Sequence, residues 1–406
     1  MLCKSERQDF EKEKCMSAAN EAPLSGIRVL DLTRLIPGPL ATWLLGRMGA
    51  EIIKVEDPKV GDYLRTMLTG PEGKNATYHM LNEGKRHMVL DLKQDAGKEV
   101  LHRLLKNTDI LVEQFRPGVL ARLGFAPEEL RQKYPQLIIA SITGFGQTGP
   151  WAHKAGHDIN YLALSGLLSR SFEKESTSVV PPFQAADIAG GSYYPVVAIM
   201  GALLSRQKSG QGAHLDISMT EGVIPLALSN TAPALGGNDL SRPEYTVLQG
   251  GCAAYGVYEC RDKTFISIAP IEPKFWLKFC AAVDRPQWAT WHLQAQRFDE
   301  LKAGLVELFA AKSAVEWAAL LAVHDCCVEA VLNSNELSSH PQHEARGVFT
   351  EGPALRLPAI EALGADQKPS TQNMQAGSDT RAIMEELGYN LDQINTMNEQ
   401  RLIRCG

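Results

Sequence analysis

Residues 27–55 read IRVLDLTRLIPGPLATWLLGRMGAEIIKV, and the order of apolar and polar positions in this stretch decides the fold. The run 27–32 is leucine-rich and β-branched, as a strand buried on both faces requires. Pro37-Gly38-Pro39 marks a turn, residues 40–45 and 48 carry apolar side chains at helical spacing, and Gly49 ends that helix. Residues 51–55 supply a second strand. A strand, a helix and a strand in this order form a βαβ unit, so a parallel sheet is expected.

The pattern repeats downstream. Asp95 caps a helix whose Val100, Leu101, Leu104 and Leu105 share one face, and 110–113 follows as a strand. Residues 127–133 form a short helix before the strand 137–143. This alternation from 24 to 143 predicts an α/β fold with an open parallel sheet. Glu56 ends the second strand, where a dinucleotide fold places its ribose-binding acid. The first turn lacks the spaced glycines that bring backbone against a pyrophosphate, which argues against nicotinamide chemistry.

A long helix is expected over 192–206, then the turn 207–212 and a strand over 213–218. Beyond Thr220 the character changes. Runs at 255–259 and 264–269 form a hairpin around Arg261-Asp262, and helices follow at 274–283, 301–311 and 313–323. Ser313 and Glu316 have capping-box spacing. Residues 225–330 therefore read as a smaller second domain. The stretch 352–379 reads as a crossing loop, and 380–387 as a helix closed by Gly388.

The totals fit this picture. A chain of 406 residues exceeds what one core usually supports, so two domains are expected. A formal charge of −6 without a long basic run gives no nucleic-acid footprint. None of the eight cysteines has zinc or thioredoxin spacing, which fits a reducing, cytoplasmic setting. The charged segment 1–22 has no apolar core for export and reads as a flexible N-terminal extension. The apolar stretch 193–204 is interrupted by Pro195 and is shorter than the about 20 residues a bilayer span needs, so no membrane partner is expected.

Three separated segments present proton-handling groups: Gly156-His157-Asp158-Ile159-Asn160-Tyr161, Ala185-Ala186-Asp187-Ile188-Ala189-Gly190-Gly191 and Ala269-Pro270-Ile271-Glu272-Pro273. His157 precedes a helix beginning near Asp158, and the positive end of that helix disfavours the imidazolium, leaving a base; a structural loop histidine is the alternative. Asp158 caps the helix or orients the ring. Asp187 stands among Ala, Ile and Gly, and burial there raises its pKa and makes it an acid; a plain helix cap is the alternative. Gly190 and Gly191 leave room for close backbone approach. Glu272 suits a ring-holding role, although alone it reads as a surface acid. Cys326-Cys327, beside His324 and Asp325, reads as a buried strand rather than a thiol nucleophile.

These segments resemble the class III CoA-transferase (CaiB/BaiF) family, closest to its α-methylacyl-CoA racemase branch. The resemblance spans about 24 to 387 and rests also on Pro23-Leu24-Ser25-Gly26-Ile27-Arg28-Val29-Leu30-Asp31-Leu32, Phe115-Arg116-Pro117-Gly118-Val119 and Gly144-Phe145-Gly146-Gln147-Thr148-Gly149-Pro150. The stretch 156–166 is specific to the racemase branch. The resemblance implies a Rossmann-like large domain built from 23–220 and 335–406, a small α+β domain between them, and two chains threaded as an interlocked homodimer. It implies an acyl-CoA substrate, with coenzyme A as part of that substrate and no metal or redox cofactor. It also implies that His157 and Asp187 are the proton-transfer pair, with Glu272 paired to His157. Residues implied to meet CoA are Leu90, Asp91, Leu92, Lys93, Arg116, Gly156, Asp158, Ile159, Asn160 and Tyr161.

Two departures stand out. Asp57 occupies the place of the family's CoA-gripping arginine, leaving Lys54 or Lys59 as substitutes. Gln249-Gly250-Gly251-Cys252-Ala253 replaces the racemases' Asp-Gly-Gly-Ala-Pro. The expected activity is inversion at the α-carbon of a 2-methylacyl-CoA, with enolate charge held by backbone N–H groups at helix starts. The alternatives are a CoA-transferase using Asp187 as nucleophile and a non-catalytic CoA-binding protein.

Overall fold

Seven strands form the main sheet because their β-branched runs send alternate side chains into two buried cores. Val29, Ile52, Ile110 and Ile138 enter one core, and Leu30, Ile53, Leu111 and Ile139 enter the other. The strands are β1 (Arg28–Leu32), β2 (Glu51–Glu56), β3 (Arg86–Leu90), β4 (Ile110–Glu113), β5 (Ile138–Thr143), β6 (His214–Ser218) and, near the end of the chain, β10 (Ile403–Arg404). The computed structural model describes residues 22–67, 69–70, 75–168, 180–239, 247–249, 251–349, 355–363 and 374–406. The expected extension 1–22 lies outside these apart from Ala22, as do residues 352–354 and 364–373 of the crossing loop.

Across the sheet the order is β10-β3-β2-β1-β4-β5-β6. β1 to β6 run parallel, and β10 pairs antiparallel with β3. The parallel part has the 3-2-1-4-5-6 order of doubly wound nucleotide-binding sheets. Winding reverses between β1 and β4, which opens a crevice beyond their carboxyl ends.

Helices that cover this sheet include α1 (Pro37–Arg47), α3 (Asp95–Leu105), α4 (Pro127–Lys133) and α6 (Tyr194–Ser209); α2 (Ala76–Asn82) and α5 (Asp158–Leu164) lie between them in sequence. Pro37 opens α1 instead of marking a turn before it, since proline's fixed φ and missing N–H suit a first helical position. Asp95 is the first residue of α3 and not its cap, which is Gln94. The expected helix over 192–206 starts earlier, as a π-helical turn over Ala186–Tyr193 that runs directly into α6. The joined helix Ala186–Ser209 is therefore long and apolar enough to cross a membrane, contrary to the expectation from 193–204, with a mean hydropathy of 1.4. Its Val196, Ile199 and Leu203 are buried in the first core, as a core helix requires.

The chain divides into two compact units, Met1–Pro225 with Glu344–Gly406, and Leu226–His343. The second unit holds an antiparallel sheet of β7 (Gly256–Glu259), β8 (Phe265–Ile268) and β9 (Val328–Ala330). Helices α7 (Pro273–Ala282), α8 (Phe298–Phe309) and α9 (Ala314–Ala322) pack around Trp276, Phe279, Phe309 and Trp317. Ser313 and Glu316 make the capping box of α9, with reciprocal bonds of 3.1 and 2.7 Å. Cys326 is buried and its thiol is pushed up to about 11 by burial, so it is held as a thiol rather than a thiolate. In the first unit, α10 (Thr380–Glu386) is followed by Gly388 at φ 84°, and α11 (Leu391–Glu399) leads to β10.

Candidate active site

Two cavities open at the carboxyl ends of β1 and β4, and they share Arg34 and Phe115 in their walls. One, of about 240 Å³, lies between Val55, Asp57, Leu90, Leu92 and Lys93. The other, of about 270 Å³, is lined by Arg116, Lys154, Gly156, His157, Tyr161 and Asp187. They form a two-lobed cleft at the point where the sheet reverses its winding, the usual ligand position in such a sheet.

The loop after β1 is fixed by buried charge. Lys54, fully buried, donates to Thr33 O at 2.9 Å and pairs with Asp62 at 2.9 Å. Asp62 in turn accepts from the Leu35 N–H at 3.0 Å. Asp31 accepts from the Thr33 N–H at 2.8 Å and pairs with the buried Lys85 at 3.1 Å. Although burial opposes it, the charges of Lys85 and Lys54 hold the Asp31 carboxyl well below the usual range. Lys54 is therefore consumed inside the protein and is not the substitute for the family's CoA-gripping arginine.

Glu56 borders the first lobe, but its oxygens already accept from Arg65 at 2.6 Å, the Asp62 N–H at 2.9 Å and the Tyr78 hydroxyl at 3.2 Å. A ribose hydroxyl would have to displace one of these donors. Asp57 folds back onto the Lys59 and Val60 N–H groups at 2.8 and 3.0 Å, and Lys93 Nζ lies 3.5 Å from its carboxylate.

In the second lobe, His157 is itself the N-cap of α5 and Asp158 is the first helical residue, so the cap lies one residue earlier than expected. The Asn160 side chain accepts from the His157 N–H at 3.0 Å. Asp158 does not cap α5. Its Oδ1 accepts from the Ala186 and Asp187 N–H groups at 2.7 and 3.0 Å, which ties the histidine segment to the start of the π-helical turn. A carboxylate beside two first-turn N–H groups is favourably placed against a helix start. That turn is held down on its other side, where Ser192 Oγ donates to Pro37 O at 2.7 Å. A Cβ at Gly190 would collide with Met219 O, so the glycine pair does permit close backbone approach.

Asp187 points into this lobe, and its carboxyl is pushed up to about 7 by burial and then by the neighbouring charge of Asp158. It is an acid that holds its proton to neutrality. Behind His157 an aromatic series, Trp151 to Phe145 to Tyr161, stacks edge to face. Tyr161 donates to Gly156 O at 2.5 Å, and Lys154 Nζ lies 3.7 Å from the Trp151 ring centre.

The structure thus brings together His157, Asp187, Gly156, Tyr161 and Arg116 in one lobe, and Leu90, Leu92 and Lys93 in the other. Ile159 and Asn160 are exposed and line neither lobe, because α5 turns them outward; Asp158 supports the site from behind. Asp91 is spent on the Lys93 N–H and Gln94 side chain, at 3.0 Å each. Glu272 belongs to the second unit, where it is the N-cap residue of α7. Arg34, Gln114 and Lys154 line the cleft without having been singled out in the sequence. For Arg34 the signal was its position just past the end of β1.

Residues 24–377 match the model of CoA-transferase family III. The chain belongs to that family. Human alpha-methylacyl-CoA racemase is 33% identical over 393 residues, covering 94% of this chain and 97% of that one. Acetyl-CoA:oxalate CoA-transferase from Acetobacter aceti is 31% identical, covering 84% of this chain and 89% of the relative. A crystal structure of a CaiB/BaiF family protein from Brucella suis superposes with a TM-score of 0.78 at 29% identity, covering 90% of this chain and all of that one. Family III holds both racemases and CoA-transferases among these relatives, and the chain is an enzyme of that superfamily.

Proposed function

We propose that this enzyme inverts configuration at the α-carbon of a 2-methylacyl-CoA thioester. The observation that carries the reading is a base and an acid in one lobe: the His157 imidazole and an Asp187 carboxyl that keeps its proton to about pH 7. His157 takes the α-proton from one face and Asp187 delivers one to the other; the reverse reaction exchanges the roles. Thioester oxygen charge in the enolate is stabilised by backbone N–H groups and by the cations of this lobe. The nucleotide end of CoA lies in the lobe of Leu90, Leu92 and Lys93, with Arg116 toward the reacting end. Glu272 fixes the imidazole ring, two chains interlock, and the enzyme works in the cytoplasm without a metal or redox cofactor.

The test is incubation with each pure enantiomer of a 2-methylacyl-CoA, followed by chiral separation of the released acid. Convergence of both on a mixture supports the proposal, and unchanged configuration removes it.

A second reading is favoured by the transferase relatives at similar identity. Here Asp187 attacks the acyl-CoA as a carboxylate, giving a mixed anhydride and CoA thiolate. The thiolate then attacks the aspartyl carbonyl and expels the acyl carboxylate, and the aspartyl-CoA thioester passes its CoA to a free acid by the same steps in reverse. It predicts a hydroxylamine-trappable adduct on Asp187 and activity that survives His157→Ala, which a racemase would lose.

A further inference from the structure

β4 ends on Glu113, a carboxyl 3% exposed. It lies on the sheet face that Leu111, Phe125 and Ile139 make apolar. Its Oε2 accepts from the Phe115 N–H at 2.7 Å, so the side chain reaches forward and closes the turn that follows the strand. That turn supplies both lobes of the cleft, since Phe115 borders each and Arg116 borders the reacting one. Ser141 of β5 stands opposite Glu113 in the strand register, and Ser141 Oγ lies 3.0 Å from His214 Nε2 on β6.

Burial pushes the Glu113 carboxyl up to about 7, against the pull of the Ser141 hydroxyl and the Phe115 N–H. An apolar side chain would fill this place at lower cost, so packing does not account for an acid here. The position does account for it. The switch point lies between β1 and β4, and the β1 side of the crevice is already held by Asp31, Lys54 and Asp62. Glu113 does the corresponding work on the β4 side.

We infer that Glu113 is a positioning residue for acyl-CoA binding: by accepting from the Phe115 N–H it sets the turn that presents Phe115 and Arg116 to the cleft. The assignment rests on the acyl-CoA reading of that cleft. Two mild substitutions separate reach from charge. Glu113→Gln keeps an acceptor oxygen at the same reach without the charge, whereas Glu113→Asp keeps the carboxyl but withdraws it by about 1.5 Å. Calorimetric titration with CoA, together with KM and kcat for α-hydrogen exchange of a 2-methylacyl-CoA, reads both.

The expected result is Glu113→Gln within about twofold of wild type in CoA affinity and KM. Glu113→Asp should weaken both about tenfold, the loss of one hydrogen bond, with kcat at saturation nearly unchanged. Any other ranking overturns the assignment, including both variants unchanged or both impaired alike. Wild-type protein without measurable CoA affinity removes the acyl-CoA reading and this assignment with it. Wild-type protein that binds CoA no better than Glu113→Asp removes the assignment alone.

Discussion

Replacing Asp187 by asparagine should make the protein more stable at alkaline pH while abolishing inversion. In the unfolded chain this carboxyl ionises near its ordinary 3.8, but in the folded protein only near 7, through burial and the charge of Asp158. Between those values the unfolded state gives up the proton and the folded state keeps it. Stability from this group is therefore complete below pH 3.8, declines as pH rises, and is gone above about pH 7. At about 1.4 kcal/mol per pH unit, that interval is worth about 4 kcal/mol.

Asparagine has nearly the same shape and no charge, so the variant escapes this decline. Going from pH 5 to pH 8, Asp187→Asn should gain about 3 kcal/mol on wild type, from the two pH units below 7. Urea unfolding of both proteins at the two pH values measures it, and thermal midpoints should separate by roughly 3–5 °C. An active-site group that costs stability is the expected trade for chemistry. A stability difference that stays flat from pH 5 to 8, or one that moves in favour of wild type, refutes the raised carboxyl and the proton donor built on it.

Asp158→Asn keeps an acceptor for the Ala186 and Asp187 N–H groups but removes the charge that helps to hold the Asp187 proton. The alkaline limb of kcat/KM, measured in the direction in which Asp187 donates, should move to lower pH. Lys54→Met leaves Asp62 without its buried counter-charge and Asp31 with Lys85 alone, and denaturant unfolding should show a loss of about 3–5 kcal/mol. Gly144→Ala drives a methyl into the Tyr161 ring, costing about 1–3 kcal/mol by overpacking and raising KM through the Gly156 carbonyl that Tyr161 holds.

The sheet was legible where apolar runs were uninterrupted, so β1, β2, β4, β5 and β6 fall where periodicity puts them. β3 was not, because Arg86 and His87 open it: Arg86 pairs with Glu51, and His87 is buried beside Glu56. β10 is two residues long and pairs with β3, about 300 residues away in sequence, which no local pattern announces. The π-helical turn was hidden for a related reason. Its shape follows from Gly190 lying against Met219 and Ser192 reaching Pro37, contacts made far along the chain.

In the site, the sequence singles out His157 and Asp187 as a base and an isolated carboxyl, and the structure places both in one lobe. The role of Asp158 was not, since a carboxylate after a helix-capping histidine reads as a partner of that helix. In the structure it serves the N–H groups of residues 186 and 187 instead. Arg34 and Lys154 escaped notice because a single cation in a loop reads as a solvated surface.

The most direct measurement is α-hydrogen exchange in deuterated water, read by mass spectrometry on a chiral 2-methylacyl-CoA without any free acid present. A base and an acid flanking one carbon predict one deuterium entering at that carbon from either enantiomer, and its loss in His157→Ala. Folded protein that binds CoA and exchanges nothing, yet passes CoA to an added carboxylic acid, would contradict the account.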